Sequence, residues 1–349
     1  MEPVTHFITG AVLARSGFNR KAAYATIVMV LAAEAPDLDT LWSIRGPVAV
    51  FQHHRGWTHT FLGVPLEAAI VVGIFWLIHR WRTHRQTAAK PPKAPVRWGL
   101  LYLFALIALL SHLLLDWTNN YGLRPFFPFN SRWYAGSFVF IFDPVLFLIL
   151  LSALVVPVLF GLINSEVGAR KPAFRGQNGA IIGLLLMLSL WTWRFVEHDK
   201  ALQLAQTGDY NGAAVLRTFA SPSPANPYRW HTIVETPDFY QLGTANTRTG
   251  TLATGTQSGV VYKPPTTLAT LVAKRTWLGE VYLDWSSWPV VTEASNIPGG
   301  LTTVTFLDLR FLDDTPLLDN RDGPPLSGTV TLNADRRVIR MEMNGRIQH

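Results

Sequence analysis

Apolar residues fall in long unbroken blocks over the first two hundred positions and in short alternating runs afterwards. A helix needs about 20 apolar residues to cross a bilayer core. Four blocks have that length, residues 60–80, 98–117, 137–163 and 179–196, and each is predicted to span. Two less regular blocks precede them, 4–15 and 22–39. The second is long enough to cross; the first is short, as expected of a half-inserted segment or one packed against the others. From about residue 200 the pattern changes. "LQLAQTGDYNGAAV" predicts a short surface helix and "SPSPANP" (221–227) a linker. "YRWHTIVET", "GVVYKP" and "GTVTLNA" predict β-strands between Gly, Pro and Asn turns. The predicted fold is mainly α: a polytopic membrane helical bundle over residues 1–199, followed by a soluble β-rich (α+β) domain over 200–349.

Composition agrees with a membrane protein. The chain is 49% hydrophobic and 15% charged, against roughly 25% charged in soluble domains. It has no cysteine, which excludes disulfides and thiolate metal sites. The net charge of +7 would suggest nucleic acid in a soluble protein. Here the basic residues sit between apolar blocks, where the positive-inside rule accounts for them, so no nucleic-acid partner is expected. Loop 79–97 carries Arg80, Arg82, Arg85, Lys90, Lys93 and Arg97 and no acid. Loop 165–178 carries Arg170, Lys171 and Arg175 against Glu166. Both are predicted cytoplasmic, and Arg15, Arg20 and Lys21 agree. Loop 118–136 and everything after residue 197 are then predicted outside. Trp57, Trp117, Trp133 and Trp191 suit an interfacial belt. "MEPVTHF" has no basic n-region or small-residue cleavage site, so no removable signal peptide is expected.

With that orientation, ionisable residues from distant segments converge on the outer face. Asp37 and Asp39 end the 22–39 block; His53, His54, Arg55 and His59 precede the 60–80 block. His112 and Asp116 end the 98–117 block, and Asp143 is placed about two turns into the next. His6 joins them if the first short block dips inward. Such residues are costly in a membrane and face a bundle interior or a water-filled cavity. His112 and Asp116 are one helical turn apart and share a face. A neutral imidazole and a carboxylate so placed suit Zn²⁺ or a similar divalent ion, with His59 as a third ligand and Asp37 as a fourth or a bridge. Pro36 is expected to end its helix and fix how the two aspartates project. A single His at a helix end is more often structural than a ligand, and His-x-x-x-Asp is common by chance. The argument lies in the whole set reaching one level. His79, His84, His198 and His231 fall off the cluster and are read as surface or structural residues.

"THFITG" (5–10), "APDLD" (35–39), "HHRGWTHT" (53–60), "HLLLDWTNNYG" (112–122) and "FDPVLF" (142–147) resemble the motif series of the YdjM-like family. These are bacterial inner-membrane proteins labelled metal-dependent hydrolases, and the resemblance covers roughly residues 1–200. It implies a multi-pass location in the bacterial inner membrane and a hydrolytic reaction class. His6, Asp37, His59, His112 and Asp116 also follow the ligand order of zinc-dependent phospholipase C. The chain departs from that pattern in lacking the free amino-terminal residue that binds zinc there and the further His and Glu ligands. One or two ions are therefore expected, not three.

The resulting expectation is a membrane-bound metal-dependent hydrolase acting at the outer membrane–water interface on a phosphoester or lipid head group. A water acidified by the metal would attack. Asp39 or His53 would accept its proton, and His54 and Arg55 would hold an anionic group. The bilayer and a lipid or lipid-linked substrate are the expected partners; nothing in the tail identifies another. Two rival readings share the residues. A transporter or proton-coupled protein would use Glu34 and Glu67 across the membrane depth. A structural metal site would need a closed set of four protein ligands.

Overall fold

The computed structural model describes residues 1–85, 94–166, 176–254, 259–297, 300–312 and 324–349. Lys90 and Lys93 of the first basic loop, and Arg170, Lys171 and Arg175 of the second, lie outside the described residues. The fold is a set of membrane-length helices followed by antiparallel sheets. Two compact units divide it. One comprises Met1–Leu38, Arg55–Glu197 and Pro222–Pro227; the other comprises Asp39–His54, His198–Ser221 and Tyr228–His349.

The first unit contains α1 (Pro3–Arg15), α2 (Ala25–Glu34), α4 (Gly63–His84), α5 (Trp98–Thr118), α6 (Pro144–Glu166) and most of α7 (Gln177–Thr207). Among the described residues, α4, α5, α6 and α7 are long and apolar enough to cross a membrane. The 22–39 block is shorter as an α-helix than its apolar length predicts. Ala35 keeps αR backbone, but Pro36 has no N–H to donate into the α-helical ladder. The chain leaves α2 after ten residues and continues as a 3₁₀ helix, Ala35–Arg45. α1 packs on α2 through small residues: a Cβ at Gly10 would lie 2.9 Å from both Ala33 Cβ and Met29 O. α7 packs on α6 the same way, since a Cβ at Gly183 would meet Ala153 Cβ at 2.5 Å. Without a hydrophobic drive between helices in lipid, such close approach supplies the packing energy. Ala and Val side chains of α2 and α4 and Ala and Leu side chains of α5 form a common core around Met29, Ala68, Phe104 and Leu109.

α6 begins later than the apolar block predicts, and Asp143 is not inside it. Asp143 Oδ1 accepts from Val145 N and Leu146 N, both at 3.0 Å, so it caps the helix, with Pro144 in the first turn. Proline tolerates that position because its missing N–H would have no partner there. Arg194 of α7 pairs with Asp143 Oδ2 at 2.6 Å, and both side chains are fully buried. Its guanidinium also donates to the carbonyls of Ser223 and Pro224 at 3.4 Å. The predicted surface helix at 202–215 is instead the last turns of α7, which runs to Thr207.

The second unit holds two five-stranded antiparallel sheets. β1 (Arg217–Pro222), β2 (Arg229–Glu235), β3 (Phe239–Asn246) and β4 (Thr251–Thr254) lie in that order, and β5 (Val260–Tyr262) also pairs with β3. The other sheet runs β10 (Arg346–Ile347), β9 (Val338–Met343), β8 (Gly328–Leu332), β7 (Leu301–Asp308), β6 (Pro289–Ile297). The predicted strands correspond to β2, β5 and β8. Two helices were not foreseen, α8 (Leu268–Lys274) and α9 (Trp277–Trp285). Their signals are local: Thr267 and Thr270 form a capping box, and Thr276 caps α9 by accepting from Gly279 N. Segment 39–54, which carries α3 (Pro47–His53), belongs to this unit. Phe51 packs on Tyr282 and Trp285, with ring centroids 5.8 and 4.9 Å away. Val48 N donates to Gln348 Oε1 at 3.0 Å, and Trp277 Nε1 donates to Gln52 Oε1 at 3.0 Å.

Candidate metal centre

Three elements of the first unit bring four donors together. α5 presents His112 and Asp116 one turn apart. The 3₁₀ helix after α2 presents Asp37, and a 3₁₀ turn at Trp57–His59 presents His59. The side chains of His59, His112 and Asp116 are fully buried, while that of Asp37 is 14% exposed and forms the open side. His59 Nε2 lies 3.1 Å from His112 Nε2, 3.3 Å from Asp116 Oδ2 and 3.5 Å from Asp37 Oδ1. His112 Nε2 lies 3.5 Å from Asp116 Oδ2 and 3.7 Å from Asp37 Oδ1. These four residues could hold a metal ion.

The hydrogen bonds around the cluster show why a cation suits it. His112 Nδ1 is 2.7 Å from the Ala33 carbonyl, which can only accept. Nδ1 therefore carries the proton, and in the neutral ring Nε2 presents its lone pair to the cluster. Fixing the second nitrogen on a backbone carbonyl is the usual support for a ligating His. His59 Nδ1 is likewise engaged, 3.0 Å from Thr58 Oγ1. Asp116 Oδ2 is buried without a hydrogen-bond donor, and an unpaired buried carboxylate oxygen is costly. His112 Nε2, Asp37 Oδ1 and Asp116 Oδ2 thus bring lone pairs to one point around His59 Nε2, and a cation placed there would offset their mutual repulsion. Metal–ligand bonds of about 2.0–2.1 Å imply tetrahedral edges of roughly 3.3 Å. The five separations above, 3.1–3.7 Å, match that figure.

The remaining residues named from the sequence are placed as follows. His6 of α1 is fully buried, stacks on His112 with centroids 3.7 Å apart, and sets Nε2 3.4 Å from Asp116 Oδ1. Neither His6 ring nitrogen has a hydrogen-bond partner among the described residues. Arg55 was expected to face an anionic group, but its guanidinium is buried and turned inward. It donates to Asp116 Oδ1 at 2.7 Å, to the Gly122 carbonyl at 2.8 Å and to Asn119 Oδ1 at 3.3 Å. It also lies 4.7 Å over the Tyr121 ring. The Arg55 backbone sits in the left-handed region, φ +56°, a strained conformation that the surrounding bonds hold. Asp39, His53 and His54 belong to the second unit. There His54 Nδ1 is 2.9 Å from Asp39 Oδ1, and His53 stacks on Trp42 at 4.0 Å.

Sequence reasoning missed the support around Asp116. Asn119, Tyr121 and Gly122 all lie in "HLLLDWTNNYG", but only the ligands in that motif had a chemical reading. The Met1 amino group, also unforeseen, lies against Asp116 Oδ1. Of the histidines read as off the cluster, His79 contacts the Tyr24 hydroxyl at 3.2 Å and His198 the Ala220 carbonyl at 3.2 Å.

Fold and site together define a multi-helix membrane protein with a buried His/Asp centre able to take a metal ion. The family described as YdjM inner membrane protein matches residues 1–201, and the chain belongs to that family. A Bacillus subtilis (strain 168) protein, "Uncharacterized protein YfhP", is 27% identical over 164 residues, 45% of this chain and 46% of its own. The chain thus spans about half the length of the curated relative it matches. No solved structure matches.

Proposed function

We propose that the protein is a membrane-bound metal-dependent hydrolase of phosphoesters or lipid head groups, with Zn²⁺ held by Asp37, His59, His112 and Asp116. The observation that carries this reading is the convergence of two imidazole Nε2 atoms and two carboxylates at tetrahedral spacing, with Asp116 Oδ2 buried and without a hydrogen-bond donor. A divalent ion held there supplies Lewis acidity and lowers the pKa of water toward neutrality. The chain does the rest. Ala33 O fixes the His112 tautomer, and Arg55 pins Asp116 Oδ1 so that Oδ2 faces the ligands. The partly exposed Asp37 side is where water and substrate reach the centre. His6, with two unpaired nitrogens beside Asp116, is the residue a second ion would use.

The proposal places the centre and the tail outside the cytoplasm, on the strength of Arg80, Arg82, Arg85 and the further basic residues of the 79–97 loop. A reporter fused after His349 that works only in the cytoplasm overturns that orientation. For the chemistry, purified protein is assayed for bound metal and screened against phosphoester and phospholipid substrates. Metal-dependent turnover supports the hydrolase. Stoichiometric metal with no turnover, together with metal uptake into proteoliposomes, moves the protein to the transporter class.

A further inference from the structure

Next to the cluster lies an aromatic platform that the proposed chemistry does not use. It has two parts, both from the first unit. Trp57 and Phe61 flank His59 by two residues on either side. Phe126, Phe127 and Phe129 come from the segment that follows Asp116 and the end of α5. Phe61 N donates to the Pro125 carbonyl at 2.9 Å, which joins the two parts. Trp57 packs edge-on to Phe127 at 5.1 Å, and Phe61 edge-on to Phe126 at 5.4 Å. The platform is therefore built, yet much of it is uncovered: Phe129 is 87% exposed, Trp57 53%, Phe61 50% and Phe126 48%. Exposed contiguous aromatic surface of this kind marks an interaction site.

Two observations name the occupant. Below the platform, Leu62, Leu66, Ile70, Ile74 and Leu77 of the α4 region recur every three or four residues, so they form one helix face. All are 47–64% exposed. On a membrane-length helix such a stripe faces acyl chains. It runs from there to Leu62 and Phe61 without a polar break. On the platform's other side Tyr134 packs edge-on to Phe126 at 5.6 Å, and the exposed Arg132 lies 5.5 Å over Tyr134. Apolar stripe, then aromatic rings, then an arginine is the order of acyl chain, interface and phosphate in a leaflet.

We propose that residues 124–134, with Trp57 and Phe61, form an interfacial wedge seated in the leaflet and occupied by phospholipid. Acyl chains lie along the α4 stripe and the head-group phosphate lies at Arg132. Since the wedge grows from the chain on both sides of His59 and just after Asp116, the lipid it holds sits beside the candidate centre. This inference depends on the membrane reading and not on hydrolysis, so either can fail alone.

The chain has no cysteine, so single nitroxide labels can be attached cleanly to the full-length protein. F129C, F126C and the hairpin-tip control T249C are each labelled in phosphatidylcholine/phosphatidylglycerol proteoliposomes. Collision with oxygen and with a water-soluble nickel chelate is then compared. Oxygen should dominate at F129C and F126C and the chelate at T249C. Chelate access at F129C and F126C equal to that at T249C overturns the wedge. Spin–spin broadening at F129C that persists on dilution with lipid also overturns it, because the occupant is then a second copy. Exposed positions such as Phe129 tolerate replacement, and unchanged metal content in F129C and F126C verifies the fold.

Discussion

Asp116 and Asp308 are both buried carboxylates beside a buried arginine, but they are satisfied differently. Asp308 lies in the sheet unit, and both its oxygens are filled. Oδ1 accepts from Arg310 N and Nε at 2.9 Å, and Oδ2 from Arg310 NH2 at 2.8 Å and Ser286 Oγ at 2.5 Å. Arg310 in turn lies 4.8 Å over Trp285. Asp116 has donors only on Oδ1, while Oδ2 is buried against two imidazole nitrogens. A carboxylate buried for structure is closed by the protein's own donors, because an unmet acceptor costs stability. Asp116 Oδ2 instead faces the ring nitrogens of a cluster that could hold a metal ion. The two aspartates separate a self-contained ion pair from a group of donors able to take a cation.

The comparison breaks most visibly at the ligands. His112→Ala and Asp116→Ala should each lose bound metal, whereas His84→Ala, at the exposed end of α4, should keep it. Equal metal content in all three variants removes the ligand assignment. The converse test is Asp308→Ala, which removes the buried carboxylate that pairs with Arg310. It should cost the folded protein about 3–5 kcal/mol, read by denaturant melts, with metal content unchanged. A parental melt would make the Asp308 pair as dispensable as a surface bridge.

Arg55→Lys sharpens the contrast from the other side. Lysine keeps a positive charge but cannot reach Asp116, Asn119 and Gly122 at once from one planar fork. Metal affinity should fall roughly ten- to a hundredfold, the usual cost of an outer-shell partner, with the fold retained. An unchanged metal titration would mean that charge alone positions Asp116.

The smallest effect is a pH dependence. Burial raises the Asp308 carboxyl, but the Arg310 charge and hydrogen bonds outweigh it and hold the group below the ordinary carboxylate range. The folded pKa is thus below the unfolded value of about 3.9. The stabilisation is complete above that value and is lost as pH falls through the folded pKa. Acid melts of the parent should steepen below about pH 4. Asp308→Asn should remove that slope, and an identical slope in the variant would assign it to another group.

Much of this was legible in order along the chain. Apolar block length alone located α4, α5 and the body of α6 and α7, because a bilayer demands a run of apolar residues whatever they pack against. Helical spacing put His112 and Asp116 on one face. Errors arose where a local capping or turn preference competed with hydropathy. Asp143 and Pro144 start α6 after an apolar lead-in that is not helical, Pro36 cuts α2 to ten residues, and Thr267 and Thr276 begin helices that the reading of a β-rich (α+β) domain did not locate.

Which segments are long and apolar enough to cross a bilayer, and which types of donor are available without cysteine, are properties of composition and block length, and the sequence by itself determined them. What those donors do was decided by tertiary structure. Arg55 and His54 are neighbours in "HHRGWTHT", yet Arg55 turns inward to Asp116 while His54 pairs with Asp39 in the other unit. Sequence order carries no information about that turn, since it depends on a left-handed backbone at Arg55 and on Asn119, Tyr121 and Gly122, more than sixty positions away. The lone pair on His112 is likewise set by Ala33, a carbonyl that every residue type would offer. Only packing places it 2.7 Å from the ring.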